Sequence, residues 1–205
     1  METPFQADLS AIILAGGKSS RMGQDKALIE VRGVPLLQRT ATLIQGYANP
    51  VYVITPWVER YQRIVPSRCH LLQEVCPSGE TQGPLVGFAQ ALSYVKTEWV
   101  LLLACDLPNL TIQCIEAWLQ QLPETSDHVI ACLPRHQKGW DPLCGFYRSS
   151  CLTSLEGFIE QGGRSFQQWL HPQSVQELLV SDRSVLFNCN TPMDLKDIIQ
   201  ISLSL

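Results

Sequence analysis

The chain of 205 residues carries 45% hydrophobic and 17% charged residues and a formal net charge of −4. This length and apolar share predict one α/β domain that buries most of its apolar surface without disulfide staples, and they exclude disorder by composition. The mild acidity provides no global field for nucleic acid or an anionic membrane, so a polyanionic ligand requires a local basic site.

Met1–Ser10 contains two acids and neither Lys nor Arg. It lacks the basic front of a secretory signal, and the expectation is a cytoplasmic chain. Ala11–Ala15 (AIILA) is a short apolar run that ends at Gly-Gly, which predicts a buried strand feeding a loop. The loop is Gly16–Lys26 (GGKSSRMGQDK), followed by a short extended piece over Ala27–Val31. Pro35–Tyr47 places Leu36, Leu37, Leu43 and Ile44 at helical recurrence and is closed by Gly46 and Asn49-Pro50. Val51–Thr55 reads as a second strand, Glu59–Ile64 as a short helix and His70–Gln73 as a third strand. Cys76–Pro84 is dense in Gly, Pro, Ser and Thr and reads as a loop, and Leu85–Lys96 follows with helical spacing. Trp99–Cys105 (WVLLLAC) is the most continuous apolar strand, stopped by Asp106-Leu107-Pro108; it is far too short to span a bilayer. Thr111–Leu122 is helical with Thr111 as its cap.

Strands alternating with helices through residue 122 predict a doubly wound, mostly parallel sheet with helices on both faces, because each parallel connection must cross over. The later part is less regular. Val129–Leu133, Leu143–Tyr147 and Val175–Val180 read as strands, and Cys151–Glu160, Phe166–Leu170 and Asp194–Ser202 as helices. No linker or repeat divides the chain, so residues 1–205 are expected to form a single domain with a mixed-sheet extension after about residue 122.

Eight cysteines include no C-x-x-C pair, and the four histidines offer no ligand spacing beside them. The expectation is reduced, mostly buried thiols rather than a zinc site or redox motif.

In an open parallel sheet, ligands bind beyond the carboxyl ends of the strands, at the topological switch point. Two chemical candidates lie at such ends. After the first strand, Gly16-Gly17 allows close backbone approach to an anion and positive φ, and Lys18, Arg21 and Lys26 add cationic side chains. Five of the fifteen Lys and Arg residues fall between positions 18 and 39, and Asp25 is the one acid in the loop. Neither Walker A nor G-x-G-x-x-G spacing is present: Ile12 stands where the first Walker glycine belongs, and Gly16, Gly17 and Gly23 are misplaced for a dinucleotide fingerprint. The second candidate is Asp106, whose carboxylate suits Mg²⁺ beside a nucleotide; the alternative is that it caps the following turn with Asn109 or Thr111.

The run LAGGKSSRMGQDK, residues 14–26, stands as a complete L-A-x-G-x-S-x-R-M-G-x-x-K signature. Together with Gly83-Pro84-Leu85-Val86-Gly87, Cys105-Asp106-Leu107-Pro108, Trp140–Tyr147, Gly162-Gly163-Arg164-Ser165 and Phe187–Leu195, it resembles the molybdenum cofactor guanylyltransferases over nearly the whole chain. The resemblance implies a Rossmann-like nucleotidyltransferase fold, with a nucleotide-binding part over about 1–122 and a pterin-side extension over about 123–205. It implies GTP and the molybdenum–molybdopterin cofactor as substrates and Mg²⁺ as cofactor. Molybdenum-insertion and molybdoenzyme maturation proteins follow as partners, and neither nucleic acid nor membrane.

Carried over residue by residue, the resemblance implies that Leu14, Ala15, Gly16 and Gly17 contact the nucleotide, with Lys26 and Arg21 on its phosphates. Asp106 would hold the nucleotide-bound Mg²⁺, and Glu74 corresponds to an Asp that contacts the nucleotide in relatives. Many relatives carry Asn after the second strand, where this chain has Thr55-Pro56. Asp141, Asn188 and Asn190 match the pterin side. The implied reaction is attack of the cofactor's terminal phosphate on the α-phosphorus of GTP. That nucleophile is already anionic at neutral pH, so no catalytic His is needed, and His70, His128, His136 and His171 are expected in surface or packing roles. Trp140, Phe146 and Tyr147 read as core or cross-strand packing, with pterin stacking as the alternative. Arg164 reads equally as a phosphate partner or as a helix-start residue. A cytidylyltransferase or another nucleotidyltransferase acting on a phosphorylated small molecule is the alternative within this fold. A nucleotide-binding cofactor carrier without catalysis is the alternative outside the enzyme class.

Overall fold

The computed structural model describes residues 9–17, 25–77, 79, 81–189 and 193–194. Strand β1 (Leu9–Leu14) leads through the first loop to a 3-10 turn at Lys26–Leu28 and a small hairpin, β2 (Glu30–Val31) and β3 (Val34–Pro35). Then come α1 (Leu36–Ile44), β4 (Val51–Thr55), α2 (Val58–Tyr61), β5 (Cys69–Gln73), α3 (Pro84–Leu92), β6 (Trp99–Ala104) and α4 (Ile112–Leu119). The remainder holds β7 (Ala131–Leu133), β8 (Arg135–His136), β9 (Gly139–Trp140), β10 (Cys144–Arg148), α5 (Leu152–Glu160), α6 (Phe166–Leu170) and β11 (Val175–Glu177). Among the described residues, no helix is long and apolar enough to cross a membrane.

Seven strands form one sheet in the order β11-β7-β10-β6-β1-β4-β5. β1 pairs in parallel with β4 on one side and β6 on the other, Ala11 standing opposite both Val51 and Leu101. β10 runs antiparallel to β6 and to β7, while β11 returns parallel to β7. The mostly parallel sheet expected from the alternation is thus present, with one reversed strand in the later part.

The central strands are mostly apolar because both faces are covered, the buried Ser10 of β1 being satisfied by the Thr97 hydroxyl. Alternate residues of β1 and β6 separate cleanly: Ala11, Ile13, Leu101 and Leu103 pack toward α1 and α4, with Leu37, Ala41, Ile115 and Trp118. Ile12, Val100 and Leu102 pack toward α3, α5 and α6, with Phe88, Leu155 and Trp169. Tyr147 and Phe166 join that second layer around Phe88, ring centroids 4.9 and 5.8 Å away. Phe146 and Tyr147 are fully buried, so packing is their role and stacking on a pterin is not.

Several boundaries differ from the periodicity. Ala27 lies in a 3-10 turn rather than an extended piece, because the Asp25 side chain caps it at the Ala27 N–H, 3.1 Å away. The helix expected to reach Lys96 ends at Leu92, and the strand expected from Val175 to Val180 ends at Glu177. The hairpin of β8 and β9 was not visible in the sequence, being two residues per strand. Thr111 does cap α4, its hydroxyl accepting from the Cys114 N–H at 3.3 Å. Of the closing helix, Met193 and Asp194 are helical and the rest lies outside the described residues. All eight cysteines are free, five of them buried.

Candidate active site

The chain leaves β1 toward β4 on one side, whereas β6 lies on the other side of β1, so the switch point falls between the carboxyl ends of β1 and β6. A cleft of about 510 Å³ opens there, within the range of small-molecule sites. Leu14, Ala15, Gly16 and Gly17 form one wall and Ala104, Cys105 and Asp106 another, with the start of α3 at Gly83 and Pro84 closing a third. Backbone ladders continue to the rim: the Ala15 N–H donates to the Ile54 carbonyl at 3.0 Å and that of Ala104 to Leu143 at 2.8 Å.

Lys26 and Asp106, eighty positions apart, meet here, Nζ lying 3.1 Å from Oδ2. Both are largely screened, with side-chain exposures of 21% and 13%, which strengthens their attraction over that of a surface pair. The Asp106 carboxylate is not used to cap the following turn. Thr111 caps α4 with its own hydroxyl, and Asn109 donates instead to the Ser184 carbonyl at 3.2 Å.

Neither Gly16 nor Gly17 has a positive φ, so left-handed backbone is not their role. The requirement at Gly16 is close approach. A Cβ there would stand 2.8 Å from Glu74 Oε2 and 3.1 Å from Pro56 Cδ. Glu74 is 6% exposed; it is anchored by its N–H to the Thr55 carbonyl at 2.8 Å, and its residue lines the cleft. Burial raises its carboxyl pKa above the ordinary value. The Cys105 thiol is likewise pushed up by burial, with the Asp106 charge adding to it, and stays protonated.

Of the expected cationic loop residues Lys18, Arg21 and Lys26, only Lys26 is among the described residues. Of the five basic residues from 18 to 39, Lys26 lines the cleft, Arg39 lines a separate groove beside α1, and Arg32 sits at the β2–β3 turn with φ 54°. Lys18 and Arg21 lie outside the described residues. Asp25, Glu74 and Asp106 share the wall with Lys26.

On the far side, Asp141 Oδ1 is 3.3 Å from His136 Nε2, and burial raises the Asp141 pKa against the opposing pull of His136 and Arg183. Trp140 is half-buried under the Arg135 guanidinium, 5.2 Å from its ring centroid. Asn188 is exposed, and the next residue's N–H, Cys189, donates to the Asp106 carbonyl at 3.0 Å, fastening this segment beside the site. Asn190 lies outside the described residues. Arg164 donates to the carbonyls of Ile159 and Gly163 at 2.9 and 2.6 Å and to Gln82 Oε1 at 3.2 Å, so it ties a helix end to the loop before α3. His70, His128 and His171 are exposed. Sequence reasoning missed Tyr61 and Thr81 as residues of the cleft; a lone Tyr in a short polar helix carries no pattern that would single it out.

Residues 11–176 match the MobA-like NTP transferase domain. A protein of Trichormus variabilis named "Probable molybdenum cofactor guanylyltransferase" is 56% identical over 188 residues, 92% of this chain and 89% of its own. One of Synechococcus elongatus with the same name is 44% identical over 187 residues, 91% of this chain and 96% of its own. The solved structure of molybdopterin-guanine dinucleotide biosynthesis protein A from Archaeoglobus fulgidus shares the fold, with a TM-score of 0.77 at 21% identity over 96% of this chain and 100% of that one. With the domain matched over most of its length and relatives this similar across nearly all of it, the chain belongs to the molybdenum cofactor guanylyltransferases and is a nucleotidyltransferase.

Proposed function

We propose that the chain transfers GMP from GTP to the terminal phosphate of the molybdenum–molybdopterin cofactor. An oxygen of that phosphate forms the new bond to the α-phosphorus, the α-phosphorus bond to the bridging oxygen breaks, and pyrophosphate leaves with the electron pair. The observation that carries this reading is the Lys26–Asp106 pair, 3.1 Å apart at the switch point of the sheet. The names of the relatives support guanine and the molybdenum cofactor as the substrate classes.

In this reading Lys26 neutralises charge on the triphosphate and the departing pyrophosphate, and the backbone of Leu14 to Gly17 approaches the nucleotide closely. Arg21 is assigned to the same phosphates on sequence alone. Asp106 is the residue that would hold Mg²⁺. The donor set fits: Mg²⁺ commonly takes one or two protein carboxylates and completes its shell with water and phosphate oxygens. Among the described residues, no cluster of three or more ligating side chains competes as a metal site. When bound, the ion supplies Lewis-acid polarisation of the phosphate oxygens.

Glu74 is the residue assigned to the base. A carboxylate offers two acceptor oxygens side by side, and guanine offers the matching donors at N1–H and the 2-amino group. Cytosine offers a single donor there, its 4-amino group beside the N3 acceptor, so a carboxylate pairs with it once and with guanine twice. This favours GTP over CTP at a site where Thr55-Pro56 replaces the Asn found in many relatives. Asp141, Asn188 and Asn190 are assigned to the acceptor side; Asn188 adjoins Cys189, whose N–H donates to the Asp106 carbonyl.

The test is pyrophosphate release with each nucleoside triphosphate, Mg²⁺ and the molybdenum cofactor. Turnover with GTP supports the reading. Turnover with CTP alone would sink the guanylyl assignment, and tight GTP binding without pyrophosphate release would indicate a carrier.

A further inference from the structure

Asp25 immediately precedes Lys26 and lines the same cleft wall. Both of its carboxylate oxygens are engaged by the protein. The Tyr61 hydroxyl lies 2.9 Å from Oδ1 and 2.8 Å from Oδ2. Arg60 Nη1 donates to Oδ2 at 2.7 Å, and the Ala27 N–H donates to Oδ1 at 3.1 Å. With a guanidinium and a hydroxyl already on it, Asp25 is a neutralised, oriented group rather than an open ligand.

The grip on Asp25 is itself braced. Tyr61 is 1% exposed, and burial followed by the hydrogen bond to Asp25 pushes its pKa far up, so it remains a donor. The Arg60 guanidinium lies over the Trp57 ring, 4.6 Å from the centroid. The Trp57 N–H donates to Thr55 Oγ1 at 3.1 Å, at the end of β4. A chain of contacts therefore runs from the end of β4 through α2 to Asp25. The same Asp25 carboxylate caps the turn from which Lys26 reaches Asp106 at the end of β6.

We propose that Asp25 is a positioning residue. Clamped by Tyr61 and Arg60, it fixes the turn that presents the Lys26 ammonium to the nucleotide phosphates beside Asp106. The proposal rests on the reading that Lys26 engages those phosphates. A displacement of about 1 Å in such a group costs on the order of a hundredfold in rate, so loosening one of the three contacts is expected to be felt in kcat more than in KM.

The experiment is a double-mutant cycle on the full chain, assayed with GTP, Mg²⁺ and the molybdenum cofactor, with thermal melts of every variant. Tyr61→Phe is expected to lower kcat by about tenfold, a fraction of that full positional loss, with little change in KM for GTP. In the Lys26→Ala background the same substitution should change nothing further, because its effect passes through Lys26. Arg60→Gln, at a partly exposed site that the core does not depend on, should show the same coupling if Tyr61→Phe fails to fold. Additive losses, or wild-type kcat in both clamp variants while Lys26→Ala is slow, overturn the positioning role alone. Wild-type turnover in Lys26→Ala overturns the nucleotide reading and the positioning role with it.

Discussion

Glu74 occupies the space that a side chain at Gly16 would need, its Oε2 lying 2.8 Å from where a Cβ would stand. The nearest obstructing atom is the end of a side chain, and Pro56 Cδ at 3.1 Å must give by a few tenths of an ångström, so Gly16→Ala is expected to fold with a modestly lowered melting temperature and to displace the carboxylate. GTP affinity measured by calorimetry should fall by about tenfold or more, the scale of one charge-assisted hydrogen bond. Gly87→Ala, whose methyl would meet Glu74 Cδ only at 3.8 Å, should retain most of the affinity.

The raised pKa of Glu74 makes a prediction about stability against pH. Its cause is burial, so the ionised form is disfavoured in the fold. The folded-state pKa lies above the unfolded value, which means that Glu74 costs stability increasingly as pH rises through that window. Glu74→Gln keeps the shape and removes the charge. It should melt higher than wild type at neutral pH, with the gap closing as pH falls below the ordinary glutamate value. In the same variant, GTP affinity should drop by about ten- to a hundredfold. A variant that loses stability at neutral pH and keeps its affinity would contradict both assignments.

Lys26→Ala and Asp106→Ala are each expected to reduce turnover by about a hundredfold or more, the usual scale for one preorganised electrostatic group. Asp106→Asn should in addition raise the Mg²⁺ concentration needed for half-maximal rate, whereas Lys26→Ala should leave it near that of the wild type. Initial rates across a Mg²⁺ titration separate the two roles.

Gly145 lies in β10, and a Cβ there would stand 2.6 Å from the Cys132 carbonyl oxygen and 2.8 Å from Leu133 Cδ2. Backbone cannot yield as a side chain can. Gly145→Ala is therefore expected to cost about 1–3 kcal/mol, as overpacking of a well-filled interior does, and to show in a denaturant melt as a lower midpoint.

The parallel core was legible because its strands are apolar on both faces: AIILA, VYVIT and WVLLLAC each announce a doubly covered strand. The meeting of Gly16 and Asp106 at one cleft was legible for a related reason, since both sit where such strands stop. The tight approach of Glu74 to Gly16 was not, because it joins positions 58 residues apart in sequence. Nor was the grip of Tyr61 on Asp25, made by a four-residue helix with no amphipathic pattern. Of the cations counted between positions 18 and 39, Arg32 and Arg39 are near Lys26 only in sequence, since a hairpin turn and α1 carry them elsewhere.

The reversed direction of β10 has a bearing on how this scaffold can change. Because that strand enters the sheet at the rim, the segment leading from the β8–β9 hairpin brings Leu143 to the cleft. The strand's register against β6 is fixed separately, from Cys144 opposite Leu103 to Arg148 opposite Trp99. The hairpin can therefore lengthen or shorten without sliding β10, and that side of the cleft can be reshaped while the walls built on β1 and β6 stay in place.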